Sequence, residues 1–147
     1  MKTAKRYFLF KSEPGTYSFE TLAKEKKTNW NGVRNYQARN SLKTCNIGDY
    51  ALIYHSGDEK AIVGISQITK DAYLDLDPKK PGEWLQVDLK FIKTFTNKVP
   101  LTLLKSSETL KNLPLLKQSR LSCMEILEKD FIEIMKMGEI WEDFQSK

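Results

Sequence analysis

Residues 49–69, "DYALIYHSGDEKAIVGISQIT", decide the fold class. Two runs of β-branched, aliphatic and aromatic residues, "DYALIYHS" and "KAIVGISQIT", flank "GDE", and a Gly- and Asp-rich break between such runs marks a β-hairpin. A sheet is therefore anchored in the middle of the chain. Downstream, "EWLQVDLKFIKTF" places Leu85, Val87, Leu89 and Phe91 on one face and Gln86, Asp88 and Lys90 on the other, the pattern of a half-buried strand. Upstream, "RYFLFK" forms a further strand stopped by Pro14 and Gly15, and "RLSCMEI" forms a last one near the C-terminus. Between hairpin and half-buried strand, "AYLDLDPKKPG" has the composition of a loop.

Helices are inserted among these strands. Ser18 is a good N-cap for a helix carrying Phe19, Leu22 and Ala23 on one face, which dissolves in "KEKKTN". A second helix follows Gly32, with Ala38, Leu42 and Cys45 at helical spacing and a stop at Gly48. Its stripe runs back to Asn35, an amide that either caps the helix or faces a pocket. Leucine-rich pieces from Val99 to Lys117 predict brief helical turns interrupted at Pro114. "EKDFIEIMKMG" predicts a helix ended by Gly138, and Trp141 and Phe144 predict a short final one. Strands with inserted helices, rather than strict βαβ alternation, predict a single α+β domain over residues 1–147, a small barrel with helices around it.

The charge is uneven. Residues 1–123 hold 21 Lys or Arg against 12 Asp or Glu, whereas residues 124–147 hold 3 against 7. The basic part is where a polyanion would bind. No apolar run is long enough to cross a bilayer and the N-terminus lacks a signal-peptide core, so the sequence predicts a cytoplasmic protein without membrane contact. Cys45, Cys123 and the single His55 fall one ligand short of a structural zinc site, so the thiols are expected to be buried and free, with no metal and no cofactor.

The chemistry concentrates in "NWNGVRNYQARN", residues 29–40, which has two aromatic rings, two arginines and five side-chain amides but no carboxylate. Aromatic faces stack on nucleobases, amides read base edges, and arginines hold phosphates. Such a set suits a base that is held rather than altered; the other reading of the same residues is that Trp30 and Tyr36 are core aromatics and the amides are satisfied caps. Catalytic motifs are absent: no G-x-S-x-G elbow, P-loop or dinucleotide fingerprint is present, and Ser56 next to His55 on a strand points to the opposite face. A hydrolase or transferase using His55 as base and Glu13 as acid, and a small-molecule-binding domain, are the alternative readings.

"YFLFKSEP", "WNGVRNYQARN", "GDYALIYHS", "IVGISQI", the W-x-x-V-x-L-K-F pattern at Trp84 and "RLS" at Arg120 to Ser122 resemble, in this order, the EVE domain over roughly Arg6 to Met137. The resemblance implies a PUA-like β-barrel with surrounding helices. It also implies a non-catalytic domain that recognises a modified nucleobase in DNA or RNA, of the 5-methylcytosine, 5-hydroxymethylcytosine or N6-methyladenine type. Carried over by position, Trp30 resembles the aromatic wall of the related YTH domains, and Lys11, Ser12 and Glu13 resemble the segment meeting the base edge. Asn35, Tyr54, His55, Ser56, Arg120 and Ser122 match cavity-lining positions. Arg34 and Arg39 fit either contact with the nucleic-acid backbone or an internal ion pair with Glu13, the pair being favoured for at least one. Phe8 stands where relatives usually have tryptophan, which would alter the pocket floor.

Overall fold

A computed structural model describes residues 5–76, 82–118 and 120–146. Strand β1 (Tyr7–Ser12) leads to helix α1 (Phe19–Glu25), strand β2 (Lys27–Trp30) and helix α2 (Tyr36–Lys43). Strands β3 (Tyr50–His55), β4 (Ala61–Leu74) and β5 (Leu85–Pro100) follow. Helices α3 (Leu101–Ser106) and α4 (Pro114–Lys117), strand β6 (Cys123–Ile126) and helices α5 (Glu128–Met137) and α6 (Trp141–Gln145) complete the α+β fold.

The six strands form one mixed sheet in the order β2-β5-β4-β3-β1-β6. Only β1 and β3 pair in parallel, aligning Ser12 with His55; the other neighbours are antiparallel. The expected hairpin is β3 and β4. One register shift interrupts it, between Ile53 and Tyr54, and several interrupt the β4–β5 ladder, the first between Ile62 and Gly64. Bulges of this kind bend strands and increase twist, which rolls the sheet. The rolling is visible in the ring of Trp30 on β2, which lies 5.7 Å from Phe10 on β1 although β2 and β1 are far apart in the order. Its indole also reaches the Cys123 sulfur on β6, at the opposite edge. The arrangement is barrel-like, closed on this side by side chains.

Packing explains which residues commit to which face. Phe8, Leu9 and Phe10 of β1 and Leu52 and Ile53 of β3 are fully buried, as are Ile62, Ile65 and Ile68 of β4. Each such side chain contributes about 1.5 to 3 kcal/mol when withdrawn from water. Phe131, Ile134 and Met135 of α5 and Ala38 and Leu42 of α2 join the same core. Gly64 is required where β4 bulges, because a Cβ there would collide with the Phe19 ring and stand 2.9 Å from the Lys93 carbonyl oxygen.

Several expectations are corrected. The first helix does end within "KEKKTN", at Glu25, but the segment beyond it is a strand that the sequence did not mark: Lys27–Trp30 pairs with β5 as the edge strand β2. Ala72, Tyr73 and Leu74 belong to β4 rather than to a loop, continuing the ladder until Leu74 meets Leu85; residues 77–81 of the expected loop lie outside the described residues. Helix α2 ends at Lys43, before the stop expected at Gly48. Pro114 opens α4 at its first turn, where its missing N–H costs nothing. Phe8 is core and lines no part of the cleft described below. Cys45 and Cys123 are, as expected, buried free thiols, and burial pushes the Cys123 thiol up to about 12.

Candidate functional site

The seam where β2 approaches β1 and β6 holds a cleft of about 430 Å³. One wall is the end of β1 and the turn after it, Lys11, Ser12, Glu13, Thr16 and Tyr17; the other is Thr28 to Val33, and Ser122 closes one end. The N–H of Lys11 donates to the Ser122 carbonyl at 2.8 Å, extending the β1–β6 pairing to the rim. Trp30 is only 8% exposed, yet it borders the cleft, with the Tyr17 ring edge-on at 6.2 Å and 89°. As an edge strand β2 pairs with β5 alone among the described strands, so its other side presents backbone N–H and C=O groups beside the ring. An aromatic floor with polar groups along its rim suits a planar heterocycle.

Local chemistry holds each wall. The Ser12 hydroxyl donates to the Tyr17 carbonyl, and the N–H groups of Thr16 and Tyr17 both donate to the Glu13 carbonyl at 2.9 Å, folding residues 12–17 into a compact turn. The Glu13 carboxylate accepts from the Gly15 N–H at 3.1 Å and lies over Gly57, where a Cβ would meet it. Opposite, Asp75 accepts from the Gly32 N–H and from the Arg34 guanidinium, both at 2.9 Å. Burial alone would raise the Asp75 carboxyl, but Arg34 and the Gly32 N–H outweigh it and hold it below the usual carboxylate range. Partial burial lowers the Lys11 ammonium from its ordinary value and raises the Tyr17 phenol.

Beyond the cleft, the 30–40 block builds a stack. The Arg34 guanidinium lies 5.5 Å from the Trp84 ring, Trp84 stacks on Tyr36 at 4.9 Å, and Arg39 lies 5.1 Å from Tyr36. Tyr36 itself is 61% exposed. Arg39 also donates to the Glu83 carbonyl and to Asn40. The acid that Arg34 meets is therefore Asp75 rather than the expected Glu13.

A family model described as the EVE domain matches residues 6–137. The chain belongs to the EVE domain family. Human thymocyte nuclear protein 1 is 32% identical over 172 residues, covering 95% of this chain and 76% of that protein. A crystal structure of a Pseudomonas syringae protein is 39% identical, with a TM-score of 0.84 over 90% of this chain and 99% of that one. Human THYN1 in complex with DNA containing 5-methylcytosine is 32% identical, with a TM-score of 0.85 over 92% of this chain and 98% of that one.

Within this EVE domain the expected site residues separate into groups. Lys11, Ser12, Glu13, Trp30 and Ser122 share the seam cleft. Ser56 stands behind its wall, its hydroxyl 3.4 Å from the Ser12 carbonyl. Tyr54 is buried. Asn35 caps α2, its side-chain oxygen accepting from the Ala38 N–H at 2.9 Å, and lines a neighbouring cleft together with Arg120. His55 borders a third cleft with Phe19, Glu59, Phe95 and Lys98. Its Nε2 accepts from the Phe19 N–H at 3.0 Å and its Nδ1 is 2.6 Å from Glu59. Glu59 is bridged in turn by Lys98 at 2.5 Å, which holds its carboxyl below the usual range.

Thr16, Tyr17, Thr28, Asn29 and Asn31 line the seam cleft without having been singled out as site residues. Asn29 and Asn31 stand in the amide-rich block, so composition marked them; Tyr17 enters only through the turn that the Ser12 hydroxyl closes. Among the described residues no helix is long and apolar enough to cross a membrane, and no group of three His, Cys, Asp or Glu could hold a metal ion.

Proposed function

We propose that this EVE domain is a non-catalytic reader that takes one modified nucleobase of DNA or RNA into the seam cleft. The observation that carries the reading is the pairing of the buried Trp30 face and Tyr17 edge with the unpaired side of β2, in a family member whose human relative was crystallised with 5-methylcytosine DNA. Stacking on an aromatic ring contributes about 1 to 3 kcal/mol per base. A methyl group adds about 0.8 kcal/mol through burial. Larger discrimination requires an unmodified base to leave a polar group unpaired, at about 1 to 3 kcal/mol. Cytosine carrying a 5-methyl or 5-hydroxymethyl group is the preferred ligand class, with N6-methyladenine next. Such a ligand places the protein's work inside the cell.

The hydrolase or transferase reading needs His55 and Glu13 at one centre. They border different clefts, and both His55 nitrogens are engaged by Phe19 and Glu59. This geometry favours binding over turnover. The test is a titration at fixed salt with short DNA and RNA carrying each modified base beside its unmodified twin. Tighter binding to one modified member supports the reader; equal binding throughout, or release of a product, overturns it.

A further inference from the structure

The arginines that sequence composition offers for phosphate contact are held by neighbours: Arg34 by Asp75 and Trp84, and Arg39 by Glu83, Asn40 and Tyr36. Other cations stand near the seam cleft. A second cleft of about 330 Å³ is lined by Asn35, Gln37, Lys117, Gln118, Arg120 and Leu121. It adjoins the seam cleft through two chain segments. Val33 and Ser122 face the first cleft, while Asn35 and Leu121 face the second, so Arg34 and the Leu121–Ser122 peptide separate them.

The two linings differ in chemistry. The seam cleft has rings and one carboxylate, Glu13, against one cation, Lys11. Among the described residues the second lining has two cations, three amides and no carboxylate or ring. A base finds no stacking face in the latter, whereas a phosphate diester gains from it, because Lys and Arg neutralise it and amide N–H groups donate to its oxygens. The Asn35 side chain is already oriented: its oxygen faces the Ala38 N–H, which leaves the NH2 as the end available to an anion. Lys117 has one described hydrogen bond, to Asn112 at 3.2 Å, and both Lys117 and Arg120 are exposed at a rim that a polymer can reach.

We propose that this second cleft is a phosphate subsite, in which Lys117 and Arg120 grip the backbone phosphate adjoining the nucleotide whose base occupies the seam cleft. The proposal rests on the base-reading function for the placement of that nucleotide. It makes Arg120 a backbone contact instead of a base contact, and gives Lys117 and Gln118 a role that the sequence did not suggest. Register on the strand is then fixed by phosphate, while the neighbouring cleft selects the base.

The test compares the wild type, Lys117→Gln/Arg120→Gln, and a control of equal charge, Lys105→Gln/Lys136→Gln, which removes two exposed cations elsewhere. Each is titrated with a single-stranded DNA containing 5-methylcytosine and its plain twin at several salt concentrations. For the first variant we expect weaker binding to both oligonucleotides by a common factor, an unchanged modified-to-plain ratio, and a salt slope shallower by about 0.7 for the one phosphate lost on a single strand. The control keeps the wild-type slope. An unchanged slope in the first variant, an equal fall in the control, or a wild-type slope near zero overturns the subsite. A wild type that binds both twins alike defeats the base-reading function separately, and the difference in slope between the variants still decides the phosphate contact.

Discussion

At the scale of single residues, Trp30 has two duties that a simple truncation confuses. Its ring borders the cleft, and the same ring packs 5.7 Å from Phe10 and contacts Cys123 across the seam. Trp30→Ala would remove both, at about 3 to 5 kcal/mol of stability. Trp30→Phe keeps an aromatic face and loses the indole contact with Cys123. We expect it to stay folded, to bind single-stranded oligonucleotides, and to show a smaller modified-to-plain ratio by parallel titrations; an unchanged ratio would place the base elsewhere. Asp75 sets the opposite wall through Gly32 and Arg34. Its carboxyl is lowered in the folded state, so its contribution is full above the unfolded value of about 4 and is lost as pH falls through the folded one. Asp75→Asn should therefore cost about 1 to 3 kcal/mol near neutral pH, with the gap from wild type narrowing below about pH 4. Urea unfolding across that range measures it, and a gap independent of pH would reject the linkage.

At the scale of elements, the legible parts of the fold were those with one buried face. The β3–β4 hairpin and the alternation of β5 follow from side chains that meet a core on a fixed period, and Ser18 and Asn35 cap helices because their oxygens accept orphan N–H groups. Strand β2 was not legible, since "KTNW" buries only Trp30 and an edge strand owes its pairing to β5 rather than to its own pattern. The same holds for the end of β4, where Ala72 to Leu74 are carried by the ladder with β5. Within the site, the Lys11–Glu13 segment and Trp30 were legible from their motifs, whereas Tyr17 depends on a turn, and the separation of His55 from Glu13 depends on which side of that turn each faces. His55 organises it from behind, accepting the Phe19 N–H. We expect His55→Leu to leave that N–H unpaired and to lower stability by about 1 to 3 kcal/mol, while keeping the preference for a modified base. Loss of an activity with a neutral-pH profile, in place of this, would favour the hydrolase reading.

At the scale of the whole molecule, the cleft exists because the sheet rolls without joining its edges by backbone hydrogen bonds. Strand β2 comes round to β1 and β6, Trp30 bridges the gap, and the space left beside it is a slot of about 430 Å³ between Lys11–Tyr17 and Thr28–Val33. A base stacked inside a duplex cannot enter such a slot; it must leave the stack, at a few kcal/mol that is smallest where pairing is already broken. The binding reading therefore predicts an order among duplexes of equal length and charge. A 5-methylcytosine opposite a mismatched base should bind more tightly than the same base correctly paired, by a factor reflecting the pairing energy already lost. The advantage of the mismatch should vanish when the base is unmodified and Trp30 is replaced by Phe, since the slot then gains little from the extruded base. Calorimetry on the paired and mismatched duplexes at one salt concentration measures the difference, with the phosphate term held constant because the backbone is the same. Equal affinity for the paired and mismatched forms would mean that the base stays in its stack, and that the seam cleft receives something other than a nucleotide.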